Sequence, residues 1–340
     1  MAFLFEYGLF LAKAITLSVL VIVTVGAVLA MSTRLRGTGG DGIEITRLND
    51  KYRDMTHALK SAISTKVESK QRAREEKKAA KKRAKGLGDK RGRTYVIDFS
   101  GDIRGTHVSG LREEITAILT AAVDGDEVII NVDSGGGMVN AYGLAASQLQ
   151  RIRAREIPLT VCVDKVAASG GYLMACVANH IVAAPFAIIG SIGVIAQLPN
   201  VNKLLKKHGV EFEQIAAGEY KRTLTLFGEN TDRDREKMQQ DITETHELFK
   251  NFVSQHRPGL DIETVATGEY WLGTRAAELG LVDEIGTSDD LLLTASVNRD
   301  ILKITYKPKQ SLIQKISGAS AKLVARLGAR APADDPHLLV

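Results

Sequence analysis

The chain has 340 residues, of which 44% are hydrophobic and 25% charged, and its formal net charge at pH 7 is +5. This length admits one large or two ordinary domains, and the composition is that of a globular protein rather than a disordered chain. The two cysteines, Cys162 and Cys176, lie in apolar runs with no CxxC motif and no His or Asp at metal-ligand spacing. We predict two buried free thiols; a disulfide or a reactive thiol is the alternative.

The first predicted element is an apolar run near the N-terminus. Its uncharged part, Ala14 to Thr33, is roughly twenty residues long, enough for a helix to cross a hydrocarbon core. Lys13 can extend its amine to the interface at the start of the run. The alternative is a cleaved signal peptide, but the run is long for one and Glu6 offsets the positive charge before it. We therefore predict a membrane anchor over residues 1–33.

A linker and a basic segment are predicted over residues 34–93. From Ile43 to Lys85 there is no Pro or Gly and apolar residues recur at helical spacing, which predicts a long helix. Between Lys66 and Arg93 there are 13 Lys and Arg against 4 Asp and Glu, a local net charge of +9. Contact with anionic lipid headgroups and a solvated helix without a specific partner both remain open. Nucleic acid is not expected as a partner, because no aromatic residues interleave with the charges.

The charges after the apolar run bear on its orientation. Arg34 and Arg36 follow it directly, whereas the N-terminal flank carries only Glu6 and Lys13. The excess of positive charge after the span favours a cytoplasmic body and an outside N-terminus.

Alternating strands and helices begin at Thr94 and define a predicted body over residues 94–308. The stretches TYVIDF, EVIINVD and PLTVCVD read as strands, and SGLREEITAILTAAV and MVNAYGLAASQLQRIRA read as helices. Apolar strands separated by helices indicate parallel βαβ units, so the predicted fold class is α/β. A further long helix is predicted from Asp232 to Gln255. The tail over residues 309–340 is predicted to be amphipathic and then disordered.

Two glycine-rich turns in this body follow strand ends, where such sheets bind ligands. Gly135, Gly136 and Gly137 follow EVIINVD and leave backbone N–H groups unscreened, as an anion or oxyanion site requires. One unit later, Ser169 stands in DKVAASGGYLMA between alanines and glycines. Close packing of a helix on a strand explains such small residues; the other explanation is a nucleophile against which a substrate backbone must lie.

A nucleophilic serine needs a base, and the sequence offers histidines and lysines. None of the seven histidines lies in an apolar loop with an acid nearby, which argues against a Ser-His-Asp triad. A lysine can replace histidine when burial keeps its amine neutral. In AAGEYKRTLTLFGEN the pattern predicts a strand, so that either Lys221 or Arg222 points inward. On the alternative interpretation both are exposed charges of an edge strand.

Several motifs together resemble the SppA/SohB family of membrane-bound serine peptidases, and most closely its SohB members. DKVAASGGY matches the motif that carries the nucleophile in that family, which implies that Ser169 is the nucleophile. GEYK matches the motif of the base and implies Lys221, 52 residues later. GSIGV implies that Ser191 helps to orient the lysine. The resemblance covers roughly Thr94 to Asn298, the N-terminal span and the basic insert.

The resemblance also has implications for the oxyanion site. The family turn S-P-G-G maps an oxyanion donor to Gly136 and Gly137, with Gly170 beside the nucleophile as a further donor. Gly135 stands where the family has proline, which makes the turn less rigid by sequence alone.

The resemblance implies a ClpP/crotonase-like fold of repeated ββα units with an N-terminal transmembrane helix, placed in the bacterial inner membrane. The implied activity is endopeptidase cleavage of unfolded or membrane-derived peptides, such as signal-peptide remnants and misfolded proteins, without metal or cofactor. The expected partners are these peptides, membrane lipid and further copies of the chain, in an oligomer of at least about four subunits. The alternatives are a crotonase-type acyl-CoA enzyme, a histidine-based peptidase of the ClpP kind and a non-enzymatic membrane scaffold.

Overall fold

A computed structural model describes residues 7–21, 42–63 and 91–308. Strands, numbered in chain order, are β1 (Ile43–Arg47), β2 (Arg93–Ser100), β3 (Glu127–Asp133), β4 (Leu159–Val163), β5 (Val166–Ala168), β6 (His180–Ala183), β7 (Ile188–Gly190), β8 (Tyr270–Leu272), β9 (Glu284–Ile285) and β10 (Asp300–Tyr306). Helices are α1 (residues 7–21), α2 (Leu48–Ile63), α3 (Val108–Ala121), α4 (Val139–Arg153), α5 (Gly170–Ala175), α6 (Asn202–Lys207), α7 (Asp232–His256), α8 (Ile262–Val265), α9 (Gly273–Glu278) and α10 (Ser288–Ala295).

Seven strands form the central sheet in the order β1-β10-β2-β3-β4-β6-β9. Every neighbouring pair from β10 to β9 is parallel, so the predicted α/β class is confirmed. The central strands β2, β3 and β4 are buried along most of their length, as helices on either side of a parallel sheet require. One face buries Val96, Ile129 and Cys162 against Leu48 of α2 and Leu292 of α10.

The opposite face of the sheet carries the elements that position the site. Helix α4 contacts both α3 and α5, while α3 contacts β2 and α5 contacts β3. A second sheet of three strands, in the order β5-β7-β8, lies where β4 leads into α5. In this sheet β5 and β7 are parallel, whereas β7 and β8 are antiparallel. The central sheet and the small sheet thus meet at the end of β5.

The predicted helix from Ile43 to Lys85 is wrong in its first residues. Ile43–Arg47 is strand β1, and the helix begins at Leu48 and is described to Ile63. The stretch IEITR alternates β-branched apolar residues with polar ones, which suits an edge strand, and β10 supplies its pairing partner. The rest of this helix, most of the basic segment and the tail over 309–340 lie outside the described residues.

The chain divides into two units, one of residues 45–307 and one of residues 1–44 and 308–340. In the smaller unit the helix α1 covers residues 7–21, and the rest of the predicted anchor lies outside the described residues. None of the helices over 7–21, 42–63 and 91–308 is long and apolar enough to span a membrane. All the site residues considered below belong to the larger unit.

Candidate active site

Ser169 occupies the sharp connection between β5 and α5. Its backbone has φ 51° and ψ −120°, a conformation that residues other than glycine rarely adopt. Such strain persists only where surrounding contacts enforce it, and it is concentrated at functional sites. Here the Ser169 N–H donates to the Gly190 carbonyl at 2.8 Å, and the Ser169 carbonyl accepts from the Leu173 N–H at 3.0 Å. The strained serine is therefore held at both ends by backbone hydrogen bonds.

Ser191 lies next to Ser169 at the ends of two paired strands. Ala168 of β5 is aligned with Gly190 of β7 in a parallel ladder, so the two serines are the next residues along each strand. Ser191 also has a positive φ, 50°, and its N–H donates to the Glu269 carbonyl at 2.6 Å. The structure thus brings the two predicted serines side by side.

The glycine turn is attached to the strand that leads to Ser169. Ser134, the residue before the glycines, donates its N–H to the Val166 carbonyl at 2.9 Å and accepts from the Ala168 N–H at 3.0 Å. Gly136 has φ 87°, and a Cβ atom added there would lie 2.8 Å from the Ser169 Cβ. Only glycine satisfies both the conformation and this close approach. The turn and the predicted nucleophile are therefore in direct contact.

The three predicted oxyanion donors are not equivalent in the structure. The Gly136 N–H already donates to the Ser134 Oγ, at 3.1 Å, and so points away from a substrate. Within residues 91–308, the Gly137 N–H has no hydrogen-bond acceptor. Gly170 is the first residue of α5, where N–H groups have no acceptor within the helix. The candidate donors therefore narrow to Gly137 and Gly170.

The glycines after Ser169 serve packing inside the protein. A Cβ atom added to Gly170 would lie 2.4 Å from the Tyr142 ring, and one added to Gly171 would lie 2.4 Å from the Ser134 carbonyl oxygen. Both glycines are buried. Packing alone therefore accounts for both glycines, and the hypothesis that small residues follow Ser169 to make room for a substrate stays a prediction. Their absent side chains let α4 and the glycine turn approach α5.

Lys221 lies in a different environment from Ser169. The predicted strand around it is absent: residues 208–231, which the structure describes, contain neither helix nor strand. Lys221 and Arg222 are both exposed, so neither points inward as predicted. No hydrogen bond in the described part of the chain joins Lys221 Nζ to Ser169 Oγ. The pattern failed because alternating apolar residues make a strand only where a neighbouring strand can pair with them.

Family comparisons place the chain among peptidases. The profile of peptidase family S49 matches residues 151–301, and that of the S49 N-terminal region matches residues 2–149. The chain is 49% identical over 320 residues to the probable protease SohB of Haemophilus influenzae, covering 91% of this chain and 90% of that protein. The chain belongs to peptidase family S49. An S49 member of this kind is a serine-type peptidase. The alternatives of a crotonase-type acyl-CoA enzyme and a non-enzymatic membrane scaffold are therefore excluded.

A second SohB relative of this S49 chain agrees. The probable protease SohB of Buchnera aphidicola subsp. Acyrthosiphon pisum is 48% identical over 321 residues, covering 94% of each chain. Among solved structures, the 1510-N membrane-bound stomatin-specific protease matches with a TM-score of 0.44 and 16% identity, over 65% of this chain and all of that one.

A loop after β2 completes the surroundings of the S49 glycine turn. Gly101, Asp102, Ile103 and Arg104 line, with the turn, an open cavity of about 520 Å³. The Asp102 carboxylate accepts from the Thr106 hydroxyl at 2.7 Å and from its N–H at 2.8 Å. These bonds lower the pKa of Asp102, the hydroxyl contributing most, so the loop keeps its carboxylate charged at neutral pH. The cavity reaches Gly136, the residue that contacts Ser169.

Two other groups of candidate residues have clear environments. The prediction of free, buried cysteines is confirmed, and burial raises the pKa of Cys162 to about 12.

The His246 side chain lies close to the strand end that carries Ser191. Its Nε2 is 3.2 Å from the carbonyl oxygen of Ile192, the residue after Ser191. Because a carbonyl only accepts, this nitrogen is the donor of that bond.

Sequence reasoning missed Ser134 and Tyr142, which lie behind the glycine turn. Both are almost fully buried, with relative exposures of 1% and 0%. The available signal was a hydroxyl residue directly before three glycines, a position from which a serine often bonds a backbone N–H two residues on. Tyr142 had no such local signal, because its partners come from three separate elements.

Proposed function

We propose that the chain is a membrane-bound endopeptidase in which Ser169 is the nucleophile and Lys221 the general base. The single observation that carries this proposal is the strained backbone of Ser169 in contact with the Gly136 turn. A nucleophile on a tight strand-to-helix connection presents its hydroxyl while nearby N–H groups face the same space. Ser191, adjacent to Ser169 by strand register, is proposed to orient the lysine amine.

In the proposed mechanism the neutral Lys221 amine accepts the Ser169 proton as Oγ attacks the substrate carbonyl. The N–H groups of Gly137 and Gly170 stabilise the oxyanion that forms. The protonated lysine then donates to the leaving amine, and water hydrolyses the acyl-enzyme. An ordinary lysine has a pKa of about 10.4, so this chemistry requires that the amine be desolvated at the site.

Lys221 must therefore reach Ser169 either by movement of its own loop or from a neighbouring copy of the chain. Its loop is attached to the first turn of α7: Glu219 pairs with Arg233, and Arg233 lies over the Tyr220 ring at 5.5 Å. These contacts favour delivery to a second copy over movement within one chain. Large apolar side chains exposed on the same unit also favour assembly: Phe186, Ile195, Ile215 and Leu248 are 81%, 81%, 92% and 71% exposed.

We further propose the remaining finer features. The body has the ClpP/crotonase-like fold of ββα units and closes into a ring or dome of at least about four copies. Residues 1–33 anchor it in the bacterial inner membrane, with the body on the cytoplasmic side. Unfolded chains and membrane-derived peptides, including signal-peptide remnants, are the proposed substrates, because only extended backbone can enter such an assembly.

The substrate proposal is tested with detergent-solubilised full-length protein. Two forms of one protein, native and permanently unfolded, are offered together with a library of membrane-spanning fragments. We expect cleavage of the unfolded form and of fragments, with the native form resistant. Equal cleavage of native and unfolded forms by a monomer in sedimentation would contradict both the assembly and the substrate class.

A further inference from the structure

Three hydrogen bonds join four polar groups into a largely buried chain directly behind the glycine turn. The Tyr142 Oη lies 2.6 Å from the Ser134 Oγ and 2.9 Å from the Asp102 carbonyl oxygen. The Ser134 Oγ lies 3.1 Å from the Gly136 nitrogen. The chain thus connects the α4 helix, the loop after β2 and the turn that touches Ser169.

The chemistry of these groups determines which group donates in each of the three hydrogen bonds. The Asp102 carbonyl can only accept, so the Tyr142 hydroxyl donates to it. The Tyr142 Oη then accepts from the Ser134 hydroxyl, and the Ser134 Oγ accepts from the Gly136 N–H. Because all donors point the same way, each bond polarises the next. Burial raises the pKa of Tyr142, so its hydroxyl remains a donor at neutral and mildly alkaline pH.

The direction of these hydrogen bonds decides whether the Gly136 N–H or the Gly137 N–H remains free to bind an oxyanion. With the Gly136 N–H held inward by Ser134, the next donor along the backbone is that of Gly137, which has no acceptor in residues 91–308. The far end of the turn is fixed as well, since the Met138 N–H donates to the Ile103 carbonyl at 2.8 Å.

The exposed start of the turn, Gly135, has no side chain that could restrain it. Gly135 is exposed, and a Cβ atom added there would have open space around it. The rigidity that a preorganised oxyanion site needs must therefore come from the buried side.

We propose that Tyr142 and Ser134 are positioning residues that hold the glycine turn so that the Gly137 N–H faces the oxyanion formed at Ser169. This inference rests on the proposed function of Ser169. Neither hydroxyl touches substrate; both act through the orientation of the Gly136 and Gly137 peptide groups. Their loss is expected to weaken transition-state stabilisation while leaving substrate binding intact.

The test compares Tyr142→Phe with Tyr172→Phe in the full-length protein. Tyr172 is a matched control, because it is equally buried and donates its hydroxyl to a backbone carbonyl, that of Leu281, at 3.0 Å. With a fluorescence-quenched unfolded casein, Tyr142→Phe should lower kcat about 10- to 100-fold and change KM less than about 2-fold. Tyr172→Phe should keep kcat within about 3-fold of the unmodified protein.

A second readout isolates the oxyanion. A peptide aldehyde that forms a tetrahedral adduct should lose affinity for Tyr142→Phe by about the factor lost in kcat, whereas the corresponding peptide alcohol should bind unchanged. Ser134→Ala should reproduce both effects. The double variant should be no worse than the more damaging single one, because each substitution breaks the same series of hydrogen bonds.

Several outcomes would overturn the proposal. They are an unchanged kcat in Tyr142→Phe, an equal loss in Tyr142→Phe and Tyr172→Phe, or a loss confined to KM. If Tyr142→Phe does not fold, as judged by circular dichroism and thermal melting, Ser134→Ala alone decides by the same criteria. Failure of the proposed function is distinguishable, because in that case Ser169→Ala would retain activity.

Discussion

The two residues of the proposed dyad lie in regions of opposite character. Ser169 lies at the connection between β5 and α5, half-buried, with its strained backbone held by Gly190 and Leu173. Lys221 lies in a stretch without helix or strand, is exposed, and its N–H bonds only the nearby Gly218 carbonyl, at 3.2 Å. The half of the proposed site around Ser169 is held in place within one chain, whereas the half around Lys221 is not.

This difference has a functional consequence for a peptidase. A preformed serine and oxyanion turn cannot cleave peptides until a neutral amine reaches the serine, because a lone serine hydroxyl is a weak nucleophile. Activity is therefore expected to depend on the event that delivers Lys221. Each prediction below changes one half of the comparison and leaves the other in place.

The largest loss of activity is expected when Ser169, the proposed nucleophile, is replaced. Ser169→Ala removes the nucleophile and keeps the Cβ atom that contacts Gly136, so the fold should be retained. Peptide hydrolysis should fall by at least about 1000-fold, as when nucleophiles are removed from other serine peptidases. Residual hydrolysis above about one per cent, measured with the unfolded casein substrate, would rule out this nucleophile.

A loss of activity nearly as large is expected when Lys221, the proposed base, is replaced. Lys221→Arg retains the charge and length but supplies a group that does not deprotonate in proteins, so activity should fall about 1000-fold. Arg222→Lys is the matched control on the same exposed loop, and its activity should stay within about 3-fold. Lys165→Arg should be equally mild, because Lys165 is exposed and pairs with Asp133 at 3.4 Å. Loss of activity in Lys165→Arg instead of Lys221→Arg would reassign the base to Lys165.

Mixing two inactive proteins sharpens the comparison further. Ser169→Ala supplies an intact Lys221 loop, and Lys221→Ala supplies an intact serine. If a neighbouring copy provides the lysine, co-assembly of the two should restore a measurable fraction of activity, assayed after joint purification. Absence of recovery in oligomers shown by mass to contain both variants would instead place both residues of the dyad in one chain.

A smaller effect is expected from alanine substitutions in the glycine turn, where Gly136 should be sensitive and Gly135 should not. Gly136→Ala places a Cβ 2.6 Å from the Gly170 nitrogen at φ 87°, which should cost about 1–3 kcal/mol of stability and most of the activity. At Gly135 nothing lies within 4 Å of an added Cβ, so Gly135→Ala should be nearly neutral in both measurements. Thermal melting and hydrolysis of the unfolded casein check the pair. Equal damage at both positions would mean that the contact with Ser169 is not what the turn requires.

The smallest effect concerns the thiols. Burial raises the pKa of Cys162 to about 12 and also raises that of Cys176, so both remain protonated thiols at pH 7 to 9. Because the thiolate is the reactive form, iodoacetamide at pH 7.5 should leave peptidase activity unchanged. Inactivation that follows alkylation of either cysteine would contradict the serine chemistry.

The features that could be predicted correctly from the sequence are those that depend on a local pattern of residues. The strands around Ile97 and Ile130 and the helix from Asp232 follow from periodicity, and the helix start has a capping box between Thr231 and Asp234. The glycine turn and Ser169 were expected at strand ends, and backbone hydrogen bonds between Ser134 and β5 bring those ends together.

The failures all involve partners distant in sequence. IEITR is a strand because β10 can pair with it, and the loop around Lys221 is not one because no strand pairs with it in the described residues. Tyr142 reaches Asp102, 40 residues away, through a contact that no local pattern indicates. For the same reason, Gly170 could be assigned its packing role against Tyr142 only from the structure.

The most direct test of Ser169 as the nucleophile is to find where a serine-reactive fluorophosphonate attaches to the full-length protein. Tandem mass spectrometry of the labelled, inactivated protein should locate one adduct on Ser169, with Ser134 and Ser191 unmodified. Prior replacement of Lys221 by arginine should slow the labelling without moving it. An adduct on another residue, or complete inactivation of hydrolysis with Ser169 unmodified, would contradict the assignment.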